Sequence, residues 1–81
     1  TINNHPTFST VNKVRFMSDI ETEGKIYFYD LAGRSVRSNF IQITKGINSI
    51  DYTAQSDGIY LFRIFDNRRV LLSSGRVLAV D

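Results

Sequence analysis

The chain has 81 residues, of which 42% are hydrophobic and 22% are charged, and its formal net charge is +2. This composition fits one small globular domain, because disordered chains are less hydrophobic and domains rarely have fewer than about 50 residues. The sequence contains no cysteine, which excludes disulfides within the chain and cysteine-ligated zinc or iron–sulfur centres. A hydrophobic core must therefore stabilise the domain.

The positive charge is weak, although arginines at positions 63, 68, 69 and 76 make the C-terminal third its most basic part. A nucleic-acid-binding surface normally carries a denser Lys/Arg stripe with interleaved aromatic residues. We therefore expect solvated surface charges and no nucleic-acid partner. There is no apolar run near the ~20 residues of a membrane span and no signal-peptide pattern. The start, without an initiator Met, favours one domain, residues 1–81, excised from a larger protein.

Alternation of polar and apolar residues predicts β-strands, and no segment has the periodicity of an amphipathic helix. The predicted strands are 13–17, 25–29, 34–38 continuing towards 43, 47–52, 59–65, 70–73 and 76–80. Their spacing of about 8–12 residues is typical of an antiparallel sandwich or barrel. The domain is therefore predicted to be all-β.

Two of these strands are apolar on both faces. In the strand at 25–29, Ile26 and Phe28 are predicted to face the core, opposite Tyr27 and Tyr29. The strand at 59–65 is the most apolar stretch and is predicted to lie centrally in its sheet. The last two segments are interpreted as one strand with a break at Gly75.

The connections carry turn residues. Asp30 and Gly33 predict a type I turn followed by a G1 bulge, since Gly readily adopts the positive φ that the bulge requires. Three further dipeptides are interpreted as turns: Lys45-Gly46, Asp57-Gly58 and Asp66-Asn67.

The inventory of catalytic and ligating residues is poor. The single histidine, His5, lies beside Pro6 near the start, where it is more typical of a loop than of a general base. The acidic residues fall in turns or polar connections, the histidine and thiolate inventory does not suit a metal site, and the scattered glycines form no phosphate-binding loop. We therefore expect no enzymatic activity and no cofactor.

The turn motifs, taken in order, carry a family resemblance. They are Asn4-His5-Pro6-Thr7, Asp30-Leu31-Ala32-Gly33-Arg34-Ser35-Val36, Lys45-Gly46-Ile47-Asn48, Asp57-Gly58-Ile59-Tyr60-Leu61-Phe62-Arg63-Ile64 and Ser74-Gly75-Arg76-Val77-Leu78-Ala79-Val80. In this order and spacing the chain resembles the C-terminal sorting domain of type IX secretion cargo proteins, in the type A form found in Bacteroidetes. The motif and recognition residues that the resemblance implies are Pro6, Asp30, Gly33, Arg34, Gly58, Tyr60, Gly75, Arg76, Val77 and Leu78.

The resemblance implies a fold and a function. The fold is an immunoglobulin-like antiparallel β-sandwich of about seven strands. The function is that of an address label: a cargo protein reaches the periplasm by a separate signal, and the type IX translocon recognises this domain and passes the cargo across the outer membrane. A sortase-like cysteine protease then typically removes the domain and joins the cargo, at the cell surface, to anionic lipopolysaccharide.

The last strand offers a physical hypothesis for recognition. If Arg76 to Val80 lie at a sheet edge, their unpaired backbone is a template for strand addition by the translocon, with the Gly75–Arg76 corner supplying charge. The same apolar residues can instead complete the core, and the two roles are compatible. An exposed edge also permits a strand-mediated dimer.

Structural roles explain several motif residues equally well. Gly33 and Gly58 suit backbone geometry, Asp30 suits a turn cap, and Tyr60 suits a core-edge aromatic with a bonded hydroxyl. Arg34 can pair with Asp30 or with Asp51, or can face a partner; the sequence leaves these alternatives open.

Two other function classes remain open. One is an immunoglobulin-like adhesive or carbohydrate-binding accessory module that uses exposed Tyr27, Tyr29 or Tyr52. The other is a structural module of a secretion or hook-like assembly.

Overall fold

The computed structural model describes the backbone of residues 7–80 and the side chains of residues 11–80. Its strands are β1 (Thr7–Thr10), β2 (Lys13–Ser18), β3 (Thr22–Tyr29), β4 (Ser35–Ile43), β5 (Gly46–Asp51), β6 (Gly58–Asp66) and β7 (Leu71–Ala79). They form a sheet of order β1-β2-β5 and a sheet of order β4-β3-β6-β7, in which all neighbours are antiparallel. Residues 7–80 contain no helix, and hence none that could cross a bilayer. The prediction of an all-β antiparallel domain is confirmed for this part.

The core lies between the two sheets, where every second residue of the inner strands points inward. Val14 and Phe16 on β2 face inward from the three-stranded sheet, and both are fully buried. Ile26 and Phe28 on β3 are also fully buried, as predicted, whereas Tyr27 and Tyr29 on the opposite face are half-buried. The other members of the buried cluster are Ile43, Tyr52, Tyr60, Phe62, Ile64, Leu72, Val77 and Ala79.

The central position predicted for β6 is confirmed, because it lies between β3 and β7. The break predicted at Gly75 is wrong: β7 runs without interruption, and Gly75 pairs with Phe62. A residue without a side chain fits opposite a large buried ring, so the glycine accommodates packing rather than ending the strand. The irregularity lies earlier, where Ser73 pairs with Ile64 but Leu71 pairs with Phe65, so that Leu72 is the extra residue of a bulge.

Strand β4 departs from the alternation predicted for it. Val36 remains 47% exposed and Phe40 84% exposed, and only the end of the strand, at Ile43, is buried. The reason is position, because β4 is an edge strand that has only β3 beside it in the sheet.

Aspartate side chains close the two hairpin turns of the four-stranded sheet. The Oδ1 atom of Asp30 accepts hydrogen bonds from the amides of Ala32 and Arg34, at 3.0 and 2.9 Å. Gly33 donates to the Asp30 carbonyl and has a φ of 88°. The pairing register of β3 and β4 shifts beside this turn. The predicted type I turn with a G1 bulge is confirmed.

The β6–β7 turn repeats this arrangement. Asp66 Oδ1 accepts from the amides of Arg68 and Val70, at 2.7 and 2.9 Å, and Arg69 donates to the Asp66 carbonyl. Arg69 occupies the place of the glycine with a φ of 66°. A left-handed conformation costs a residue with a Cβ about 1–2 kcal/mol.

Asn48 closes the connection between β4 and β5, and so joins the two sheets. Its side chain is largely buried; Oδ1 accepts from the amide of Thr44 at 2.9 Å and Nδ2 donates to the Thr44 carbonyl at 2.8 Å. This pairing gives the Lys45-Gly46-Ile47-Asn48 motif a structural function, since the side chain replaces backbone partners that the turn cannot supply.

We expect Arg69→Gly to stabilise the domain by about 1 kcal/mol. Glycine removes the strain of the positive φ, and the greater conformational entropy of glycine in the unfolded chain offsets part of that stabilisation. In a domain of this size a stabilisation of about 1 kcal/mol raises Tm by roughly 4–8 °C. Gly33→Ala should have the opposite effect. Calorimetry on both variants measures the change in Tm. Asn67→Gly, at a neighbouring turn position without positive φ, is the control, and its Tm should not rise. An unchanged or lower Tm for Arg69→Gly would contradict the account.

Candidate functional site

Two of the sequence motifs lie side by side on neighbouring strands. Gly58 begins β6 and pairs with Ala79, two residues later Tyr60 pairs with Val77, and Leu61 pairs with Arg76. The motif at 58–64 and the motif at 74–80 are therefore brought together by strand pairing, although residues 65–73 and their hairpin turn separate them in the sequence.

The Asp30–Arg34 turn lies at the same end of the molecule. Tyr29, which precedes it, pairs with Leu61, and a groove of about 430 Å³ is lined by Gly33, Gly75 and Arg76 among others. We call this end of the molecule, formed by residues 30–34, 52–60 and 75–80, the motif pole. Nine of the ten predicted site residues belong to it; the tenth, Pro6, lies outside the described residues.

Arg34 pairs with Asp30, which decides among the alternatives left open by the sequence. Its Nε donates to Asp30 Oδ2 at 2.9 Å, and its side chain is otherwise 81% exposed. Asp51 instead lies 3.6 Å from Lys13. The hydrogen bond from the Arg34 amide, followed by the contact with its guanidinium, lowers the pKa of Asp30. The pair fixes the turn and leaves most of the guanidinium facing solvent.

Tyr60 has the core-edge role expected for it. Its ring is buried, and its hydroxyl donates to the carbonyl of Ser56 at 2.7 Å. Tyr52 packs beside it with a ring-centroid distance of 5.5 Å and stacks on Phe28 at 3.9 Å. These three rings join the two sheets beneath the motif pole.

Tyr52 is therefore not the exposed sugar-stacking residue that the carbohydrate alternative needs. Only 2% of it is exposed, so that part of the expectation is wrong. The side chain lies inward because residue 52 follows β5 on the face that meets Phe28. Burial raises the pKa of its hydroxyl, and the nearby Tyr60 raises it further.

Asn12 holds the end of the last strand. Its backbone amide donates to the Leu78 carbonyl at 2.8 Å, and its carbonyl accepts from the Tyr52 amide at 3.0 Å. Its side chain bonds both backbone groups of Val80, donating at 2.8 Å and accepting at 2.9 Å. With a φ of 60°, Asn12 occupies a conformation that asparagine tolerates better than most residues. We call this set of four bonds the Asn12 clip.

The clip corrects two expectations about β7. β7 is an edge strand of the four-stranded sheet, as the hypothesis requires. The backbone at its end is nevertheless not unpaired, because Asn12 bonds Leu78 and Val80 and a parallel bridge joins Val11 to Leu78. There is also no corner at Gly75–Arg76, since the strand runs through that point. The first correction follows from the β1–β2 turn, where Asn12 bonds Leu78 and Val80. The second follows from the pairing of β7 with β6, in which Gly75 lies opposite Phe62.

The two roles weighed for the last strand fall on opposite faces of it. Val77 and Ala79 are 1% and 2% exposed and belong to the core. Arg76 and Leu78 point outward, with Leu78 42% exposed. Because side chains alternate along a strand, one face of β7 packs into the core while the other, with Arg76 and Leu78, is exposed. We call this exposed side the presented face of β7.

Three residues that build this region were not predicted from the sequence: Tyr52 and Ser56 in the motif pole, and Asn12, which bonds to it. For Asn12 a signal was present, since an asparagine between two β-segments marks a turn with positive φ. Nothing local marks Ser56, because its carbonyl matters only through contact with Tyr60. Within residues 7–80, no group of three or more His, Cys, Asp or Glu side chains is arranged to hold a metal ion.

Comparison with known proteins assigns a family. A family model described as "Secretion system C-terminal sorting domain" matches residues 5–74. No curated protein and no solved structure gives a match. The matched segment contains the Asp30 turn, the motif at 58–64 and the first part of β7.

Replacing Asn12 by glycine should loosen the end of β7 without straining the turn. Asn12→Gly keeps the positive φ but removes both side-chain bonds to Val80, at a cost of about 1–2 kcal/mol. Hydrogen exchange read residue by residue should show faster exchange of the Val80 amide. The Arg34 amide, held by Asp30, serves as an internal control, and equal protection of Val80 in both proteins would contradict the clip.

Alkaline pH should destabilise the domain partly through Tyr52. The folded-state pKa of Tyr52 is raised above the unfolded value near 10. The neutral hydroxyl therefore contributes to the free energy of unfolding fully below pH 10, and this contribution is lost as pH rises through the folded pKa. Denaturant unfolding between pH 8 and 11.5 should show that the free energy of unfolding falls less with rising pH for Tyr52→Phe than for the wild type. The control Tyr29→Phe, on the outer face, should follow the wild type, and identical curves for all three would refute the assignment.

Proposed function

The chain belongs to the family of secretion system C-terminal sorting domains, and from this premise we propose that the presented face of β7 is the part that the type IX secretion machinery recognises. Membership makes the chain a C-terminal signal for type IX secretion, which is a sorting and not a catalytic function. The destination that such a signal specifies is the cell surface or the medium.

One observation supports the choice of β7. Its end is fixed by the Asn12 clip, and its outward side chains, Arg76 and Leu78, are presented from a packed strand. A partner that binds a preorganised strand does not have to order it first, which lowers the entropic cost of association. This replaces the idea of free strand addition at Arg76 to Val80, because the Asn12 clip occupies backbone groups at the end of that segment.

The proposal also includes the type of β-sandwich and the route of the cargo. We take the sandwich to be immunoglobulin-like with seven strands, which is supported by the two-sheet order and by the Tyr60 hydroxyl bond to the carbonyl four residues upstream, as in the tyrosine corner of such folds. Residues 1–81 form one sorting domain of a larger cargo protein. The cargo passes through the periplasm to the outer-membrane translocon.

Other proteins carry out the steps that follow translocation of the cargo. A sortase-like cysteine protease removes the domain and joins the cargo to anionic lipopolysaccharide. The solvent-facing part of Arg34 and the exposed Arg76 are the two cations with which the motif pole contacts the machinery.

The test is the export of a reporter that carries an N-terminal secretion signal and is fused ahead of residues 1–81. Deletion of Val77 to Asp81 should trap the fusion in the periplasm of a type IX-competent cell. Because Val77 and Ala79 are core residues, a second variant, Arg76→Glu with Leu78→Ser, changes only the presented face.

We expect the double variant to lower surface reporter about tenfold, which corresponds to about 1.4 kcal/mol of binding free energy. Arg15→Glu, an exposed cation on the three-stranded sheet, is the matched control and should be exported normally. Normal export of the double variant would contradict the proposal, whatever the truncation does.

A further inference from the structure

The outer face of the four-stranded sheet carries aromatic rings and cations in adjoining positions. Lys25 on β3 pairs with Phe40 on β4 and with Phe65 on β6. One step along, Tyr27 pairs with Arg63. Paired residues of antiparallel strands share a face. We call the surface formed by Lys25, Tyr27, Tyr29, Phe40, Arg63 and Phe65 the aromatic–cation face.

The cations of this face lie over its rings. Lys25 Nζ is 5.0 Å from the centre of the Tyr27 ring and 4.9 Å from that of Phe40. Arg63 Cζ is 5.7 Å from the Tyr29 ring. Such contacts hold long side chains against the sheet, so that fewer rotamers are lost when a partner binds.

The rings also contact one another on the side away from the core. Tyr27 stacks on Tyr29 with a centroid distance of 6.3 Å and meets Phe65 edge-on at 5.6 Å. Phe40 is 84% exposed. The other three rings, of Tyr27, Tyr29 and Phe65, are half-buried, so that the cluster is partly exposed. An apolar patch of contiguous side chains on a protein surface marks an interaction site.

Cations occupy the centre of the face, at Lys25 and Arg63. Two carboxylates, Glu23 and Asp66, line its groove at one end. The ion pairs found within the described residues are Lys13–Asp51 and Arg34–Asp30, which leaves Lys25 and Arg63 with rings as their described contacts.

We infer that the aromatic–cation face binds an acidic protein surface, in which carboxylates meet Lys25 and Arg63 while apolar side chains pack on Tyr27, Phe40 and Phe65. Tyr, Phe and Arg are residue types enriched in protein interfaces, and opposite charges across an interface steer association and fix the register of the partners. This contact is additional to the one proposed for β7 and does not depend on it.

The chemistry of the face favours a protein over other partners. A glycan site typically combines rings with carboxylates and amides that bond sugar hydroxyls, and here the carboxylates and the amide of the groove stand at its margin, at Glu23, Asp66 and Asn67. Two cations at the centre are too few to follow a nucleic-acid backbone.

The experiment places the photoreactive residue p-benzoylphenylalanine at Phe40 in the exported reporter fusion. Ile47, 45% exposed on the outer face of the other sheet, is the matched control position. In type IX-competent cells, irradiation should join Phe40, but not Ile47, to a polypeptide whose cross-linked peptide is rich in Asp and Glu. Capture of lipid or polysaccharide, equal capture from Ile47, or no capture would overturn the inference.

Charge reversal then measures the contact with the captured protein after purification. Lys25→Glu with Arg63→Glu should weaken binding about 100-fold or more, the equivalent of about 2.7 kcal/mol, whereas Arg15→Glu should leave the Kd unchanged. Lys25→Arg with Arg63→Lys keeps the charges and should retain most of the affinity. Equal affinity for the reversed and wild-type domains would refute the electrostatic assignment.

Export of the same fusions separates the two proposals. If the wild-type fusion is not exported, the sorting function itself fails, whatever Phe40 captures. If the fusion is exported and the reversed variant loses neither cross-linking nor affinity, the aromatic–cation face is the part of the account that fails.

Discussion

Side-chain oxygens of asparagine and aspartate satisfy backbone amides where this chain changes direction, and the rest of the fold depends on these bonds. Asp30 and Asp66 close the two hairpins of the four-stranded sheet, Asn48 closes the crossing between sheets, and Asn12 fastens the last strand. A small domain without disulfides has a small core to hold it. Locally determined turns fix the register of its strands, and register decides which side chains reach that core.

The order of the strands brings the sorting-domain motifs together in space. Motifs that are far apart in the sequence meet at one pole because β6 pairs with both β3 and β7, and the Asp30 turn therefore lies beside Arg76. Some of these motif residues are buried, as Tyr60 and Val77 are, whereas Arg34, Arg76 and Leu78 are exposed. The aromatic–cation face adjoins this pole and adds a second surface, which differs from it in being formed mainly by side chains outside the motifs.

Much of the fold can be predicted from sequence because alternation and turn chemistry are local. Val14 and Phe16, the inward pair Ile26 and Phe28, and the bulged turn at Gly33 all follow from neighbouring residues. What fails depends on contacts made across the molecule. The uninterrupted strand at Gly75 requires the Phe62 ring opposite it, and the burial of Tyr52 requires Phe28 in the other sheet. The strand β1 and the Asn12 clip were missed for the same reason, since a polar turn gives no indication of the strand end that it will bond.

The central claim is that these residues act as a type IX sorting signal in folded form. Its most direct measurement is the distribution of a reporter fused ahead of residues 1–81 in a type IX-competent strain and in an isogenic strain without the outer-membrane translocon. The account predicts reporter at the surface or in the medium of the first strain and in the periplasm of the second. The same distribution in both strains would contradict it.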